Sequence, residues 1–165
     1  MTSGPTYTPI ATYTTTGSVA NYTFTSIPST YTDIILVGQG AISANARIDL
    51  LMGNGSISTS GYSNTEVYGN GSAAYSLRVT SSASMQGLYD SIGTGSGQIN
   101  FMAHFMNYTS TTYKTVLGRY SSATNAAGAM VGLWQSGAAI NQIQISPTSN
   151  FSAGFVLTLY GIASA

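Results

Sequence analysis

Few residues in this chain have side chains that could do chemistry. There is one histidine, His104, four acids (Asp33, Asp49, Glu66, Asp90), four bases (Arg47, Arg78, Lys114, Arg119) and no cysteine. A catalytic triad would have to use His104, and no Gly-x-Ser-x-Gly elbow supplies its nucleophile. A zinc site needs His and Cys partners that the sequence lacks. His104 lies between Ala103 and Phe105, on the face of a strand opposite Phe101 and Phe105, so a structural or surface role is expected. Paired carboxylates would serve glycoside hydrolysis. Of the four acids, Asp33 abuts an apolar strand and is expected to cap or pair with a base. Asp49 sits two residues from Arg47 on one face, as an exposed ion pair would, and Glu66 and Asp90 lie near presumptive loops. The Gly-x-Gly triplets at 38–40, 53–55, 69–71 and 93–95 never extend to Gly-x-Gly-x-x-Gly before a helix, so turn chemistry explains them. No catalytic, metal-ligating or cofactor-binding residue is expected, and hence no enzyme.

The elements that carry these residues read as β throughout. Apolar residues make up 43% of 165 positions while charged ones make up 5%, far below the usual ~25%. Ser, Thr, Asn, Gln, Gly and Tyr must therefore cover the surface. The formal net charge is zero and the bases are scattered, which argues against nucleic-acid and membrane-surface partners and favours self-association. The first residues carry no basic run or apolar core of the secretory type, and no stretch approaches a membrane span.

Short Thr-, Tyr-, Val- and Ile-rich runs recur between Gly, Ser, Asn and Pro punctuation. About ten strands are expected, spaced as in a sandwich or barrel. Residues 31–37 end in Asp33-Ile34-Ile35-Leu36-Val37, a continuous apolar run that implies burial on both faces. Gly53-Asn54-Gly55 and Gly69-Asn70-Gly71 read as hairpin-type turns. The least ordered stretch is 81–97. It contains the best helical candidate, 82–89, and a Gly-rich loop at 93–97. Pro9 suits an edge position, so residues 1–15 form an N-terminal arm or edge strand and residues 16–165 one β-sandwich domain. The final apolar run, Gly154 to Ile162, suits a last strand placed inside a sheet beside an early one. Phe24, Ile35, Leu36, Phe105, Trp134 and Leu157 are the expected core. The 12 tyrosines have two readings, as good strand formers or as contact residues. On the second reading Tyr7 and Tyr13 of the N-terminal segment, with Tyr62 and Tyr89 on loops, are the interface candidates.

Five stretches, taken in order, resemble small virion proteins of tailed bacteriophages. They are Thr-Phe-Thr-Ser-Ile-Pro-Ser-Thr-Tyr-Thr-Asp-Ile-Ile-Leu-Val (23–37), Val-Tyr-Gly-Asn-Gly-Ser (67–72), Tyr-Lys-Thr-Val-Leu (113–117), Val-Gly-Leu-Trp (131–134) and Phe-Ser-Ala-Gly with Thr-Leu-Tyr-Gly-Ile (151–162). The resemblance implies an all-β, antiparallel β-sandwich of jelly-roll type, with no cofactor. It implies a homotrimer, made in the cytoplasm of a bacterial host and ending on the virion. There it acts as a capsid decoration (cement) protein that binds the major capsid protein or another virion protein. The alternative is a tail-fibre or spike module that recognises a host surface glycan. A single module starting at a methionine, without a coiled-coil stem, tilts the expectation towards the first.

Overall fold

A computed structural model describes residues 6–44, 46–92, 98–123 and 126–163, and of residues 88–92 the backbone only. Among these residues every regular element is a strand, and there are twelve. The chain begins with β1 (Thr8–Thr14), β2 (Tyr22–Phe24), β3 (Asp33–Gly40) and β4 (Ala46–Gly53). It continues through β5 (Tyr62–Gly69), β6 (Ala74–Ser82), β7 (Met85–Ile92) and β8 (Ile99–Phe105). It ends with β9 (Lys114–Ser122), β10 (Ala127–Trp134), β11 (Gln142–Pro147) and β12 (Val156–Ile162).

The strands form two antiparallel sheets, ordered β1-β12-β3-β8-β9-β10-β5-β6 and β2-β11-β4-β7. Without the hairpins β5–β6 and β9–β10, the other eight strands alternate between the sheets except at the centre, where β4 and β7 share one. Their pairs nest as β1 with β12, β2 with β11, β3 with β8 and β4 with β7. A long antiparallel hairpin rolled onto itself gives this order, which is the jelly roll. The two hairpins then pair through β5 and β10 and widen one sheet to eight strands. The protein is therefore an antiparallel β-sandwich with unequal layers.

The last strand, β12, lies between β1 and β3. Leu157 and Leu159 point inward from it and are fully buried, so the strand completes the core that the earlier strands leave open. β1 is an edge strand, bulged between Pro9 and Ala11, where proline's missing N–H breaks no interior ladder. Phe24, Leu36, Phe105, Trp134 and Leu157 lie in the core between the sheets. Ile35 is equally buried but lies outside that core. It points to the far face of the large sheet, between its register partners Tyr160 and His104.

Several local expectations need correcting. The helical candidate 82–89 is mostly strand: β7 pairs with β4 and packs across the sandwich on β5, β9 and β10. Its short, Ser-rich sequence offers no apolar stripe to hold a helix, whereas an open sheet edge offers ladder bonds. Gly53-Asn54-Gly55 does turn the chain back, closing an antiparallel bridge between Gly53 and Ile57, but it makes no β4–β5 hairpin because those strands belong to different sheets. Gly69-Asn70-Gly71 does close the β5–β6 hairpin. Asn70 Oδ1 accepts from the N–H groups of Ser72 and Ala73, and Gly71 takes φ 83°. Glu66 is not near a loop but mid-strand and buried. Asp49 is only 8% exposed. It binds Arg47 Nε at 2.6 Å and accepts from Ser84 Oγ at 2.7 Å, so this ion pair is largely sheltered. The 93–97 loop lies outside the described residues.

Candidate docking face

Alternation along each strand sends every second side chain of the large sheet away from the core. Register then lines these outward side chains into rows across the strands. One row runs Tyr160, Ile35, His104, Leu117, Val131, Thr65, Arg78. The next runs Thr158, Val37, Met102, Arg119, Ala129, Val67, Ser76. An antiparallel sheet with one packed face usually turns polar residues outward. Here the central positions are aliphatic instead. Leu117, Val131 and Val67 sit on three adjacent strands and are 44%, 51% and 56% exposed. Together they form a contiguous apolar patch of the kind that marks a contact surface.

The two rows bound a trough of about 660 Å³, with Tyr7 and Ile162 at one end. A smaller depression of about 300 Å³ continues it and shares Met102 and Arg119. A third, of about 690 Å³, lies over Val67, Tyr75 and Ala129 near the β5–β6 turn. The face is thus a broad groove crossing the strands.

Its charged side chains are few, two arginines and the Asp33 carboxylate at the rim. Arg119 is exposed, with Nη2 3.7 Å from Met102 Sδ. Arg78 donates to Thr65 Oγ1 at 3.1 Å. Among the described residues neither guanidinium lies within 4.0 Å of a carboxylate. His104 Nε2 is 2.8 Å from Asp33 Oδ2, and Asp33 Oδ1 accepts the Asn107 N–H at 2.7 Å. Asp33 is therefore doubly engaged at the rim.

Several other ionisable groups are buried and hydrogen-bonded within the fold. Lys114 is buried, and its Nζ donates to the carbonyls of Ser110 and Thr112 at 2.7 and 2.5 Å. Burial lowers its pKa. Tyr62 accepts the Met52 N–H at 2.7 Å and donates towards the carbonyls of Met52 and Ser58, pinning the crossover between the sheets. Burial raises its pKa, partly offset by those hydrogen bonds. The Tyr108 hydroxyl, which donates to the Pro28 carbonyl, is raised by burial too. Tyr120 donates to buried Glu66. Among the described residues no three His, Asp or Glu side chains come together as metal ligands.

The four tyrosines proposed as contacts are not brought together. Tyr7 is 51% exposed and meets Tyr160 edge-on. Tyr13 is half-buried and stacks on Tyr22 with ring centroids 3.7 Å apart. Tyr62 is not a surface residue: it is fully buried and stacks on Trp134 at 6.3 Å. Tyr89 lies in β7, and its side chain is outside the description. The sequence reading passed over Leu117, Val131, Val67 and Arg119. Its available signal was adjacent apolar residues within one strand, as in Val116-Leu117 and Met130-Val131, where alternation sends one of each pair outward.

No protein-family model matches the chain, and no curated protein matches it. Among solved structures it is distantly similar to a congerin II single mutant, at 14% identity and TM-score 0.28, over 76% of this chain and 99% of that one. It is likewise similar to peanut lectin with a nine-residue peptide, at 9% and 0.31, over 96% and 92%. A third is a protein of unknown function from Shewanella oneidensis MR-1, at 11% and 0.27, over 96% and 77%. Likenesses this distant carry no conclusion about function.

Proposed function

We propose that this protein is a structural protein of a bacteriophage particle. It is a homotrimeric capsid decoration (cement) protein, made in the bacterial cytoplasm, that docks on the major capsid protein or another virion protein and stabilises the shell by contact. The observation that carries the reading is the outward aliphatic cluster Leu117, Val131 and Val67, displayed on a sheet whose other face already has a core. Covering each half-exposed side chain would contribute about 1 kcal/mol. Repeated over many copies on a particle, such contacts reinforce a shell. Trimer formation would also cover exposed strands such as β6, which otherwise offers an open sheet edge.

The receptor-glycan reading has less support. A sugar platform calls for exposed aromatic rings grouped at one site, whereas exposed Tyr7 and Tyr75 stand at opposite edges of the large sheet and Trp134 and Tyr62 stack on each other inside the core. The test is cosedimentation of the purified protein with particles that lack it, beside its mass from light scattering. A trimer that saturates particles, and loses binding when Leu117 and Val131 both become Asp, is expected. A monomer that ignores particles but binds a glycan array would overturn the proposal.

A further inference from the structure

The trough's chemistry says what kind of partner fits it. Arg119 stands among Val37, Met102, Ala129 and Val67, with a thioether as its near polar contact. Buried beneath a partner, its charge would be costly unless a carboxylate met it. The face has none to offer, since Asp33 at the rim is held by His104 and the Asn107 N–H. A second copy stacked on the same face would bring Arg119 and Arg78 no carboxylate that is not already engaged by His104 and the Asn107 N–H. From β3 to β5 the groove crosses four strand spacings, roughly 20 Å. That matches about six residues of extended chain or about thirteen of helix.

Resting on the proposed docking role of this face, we infer that the trough receives a polypeptide segment of another protein. That segment is aliphatic and bears at least one carboxylate, which pairs with the Arg119 guanidinium. The apolar rows supply affinity and Arg119 sets register and sign.

The experiment is an NMR titration of the full chain, ¹⁵N-labelled, with two capped nine-residue peptides built from Leu and Val. One carries two Glu residues and its twin carries two Lys residues in their place. The Glu peptide is expected to bind at least about tenfold more tightly than its twin, since a charged hydrogen bond is worth one to two decades in affinity. Shifts should fall on β3, β8, β9, β10 and β5. Arg119→Ala, with an unchanged melting temperature, should abolish the preference, and added salt should weaken it. Equal affinities, no saturable binding, shifts elsewhere, or a preference retained in Arg119→Ala would each overturn the inference. So would tighter binding of dodecanoate than of the Glu peptide, or a face-to-face dimer broken by Leu117→Asp. The two proposals fail separately. Particle binding untouched by Arg119→Ala removes the inference and leaves the virion role. Peptide binding without any particle binding removes the virion role alone.

Discussion

Tyr120 reaches Glu66 across an intervening strand. Tyr120 is on β9 and Glu66 on β5, and β10 lies between them. The register partner of Tyr120 on β10 is Gly128, and a Cβ there would stand 2.4 Å from the tyrosine's Cζ. The absence of that single carbon lets the ring lie flat over β10 and bring its hydroxyl to the buried carboxyl group.

Gly128→Ala should therefore destabilise the protein although alanine suits a strand no worse than glycine. Overpacking of this kind costs about 1–3 kcal/mol, which for a domain this size lowers the melting temperature by about 2–4 °C per kcal/mol. Tyr120→Phe keeps the ring but removes the donor to Glu66, at about 1–3 kcal/mol. Calorimetry of the two single variants and the double variant checks the geometry. Additive losses would mean that the ring does not depend on the gap above Gly128.

Lys114 and Tyr62 should shape the alkaline limb of the stability curve in opposite directions. Burial holds the Lys114 pKa below its ordinary 10.5, so between the folded value and 10.5 the unfolded chain binds more protons. Stability from this group is then fully present above 10.5 and is lost as pH falls through the folded value. The Tyr62 and Tyr108 pKa values are raised above 10.0, so their contribution is present below 10.0 and is lost as pH rises through the folded values. Urea midpoints measured from pH 8 to pH 11.5 should rise, then fall beyond about pH 10. Lys114→Met should flatten the rise and Tyr62→Phe should soften the fall. An unchanged profile in both variants would refute the assignment.

Asp33 should matter more than its partner His104. One carboxylate oxygen meets the imidazole, while the other takes the N–H of Asn107, a residue held at φ 49° just beyond β8. Asp33→Ala removes both contacts and should cost about 1–2 kcal/mol. His104→Ala removes only a partly exposed pair and should cost about 0.5 kcal/mol or less. Chemical denaturation ranks the two, and the reverse order would show that the Asn107 contact contributes little.

The residues themselves determined the all-β class, though not that residues 82–89 are mostly strand. Thr-, Val- and Tyr-rich runs between Gly and Asn turns favour sheets, and the sequence offers one histidine, four acids and no cysteine for chemistry. An apolar final strand likewise had to end inside a sheet. Tertiary structure alone decided which way the faces turned. Alternation says that Val116 and Leu117 point oppositely, but not which one meets the core, because both are apolar and a one-residue change of register would exchange them. The same ambiguity hid the burial of Tyr62, whose ring and hydroxyl suit a surface loop as well as a pinned crossover. Only when Met52 and Trp134 close around it does the inside become the single place where every polar atom of that tyrosine is satisfied. Once Val116 and Met130 have filled the space between the layers, Leu117, Val131 and Arg119 are left facing out, and the aliphatic outer face exists as a consequence of packing.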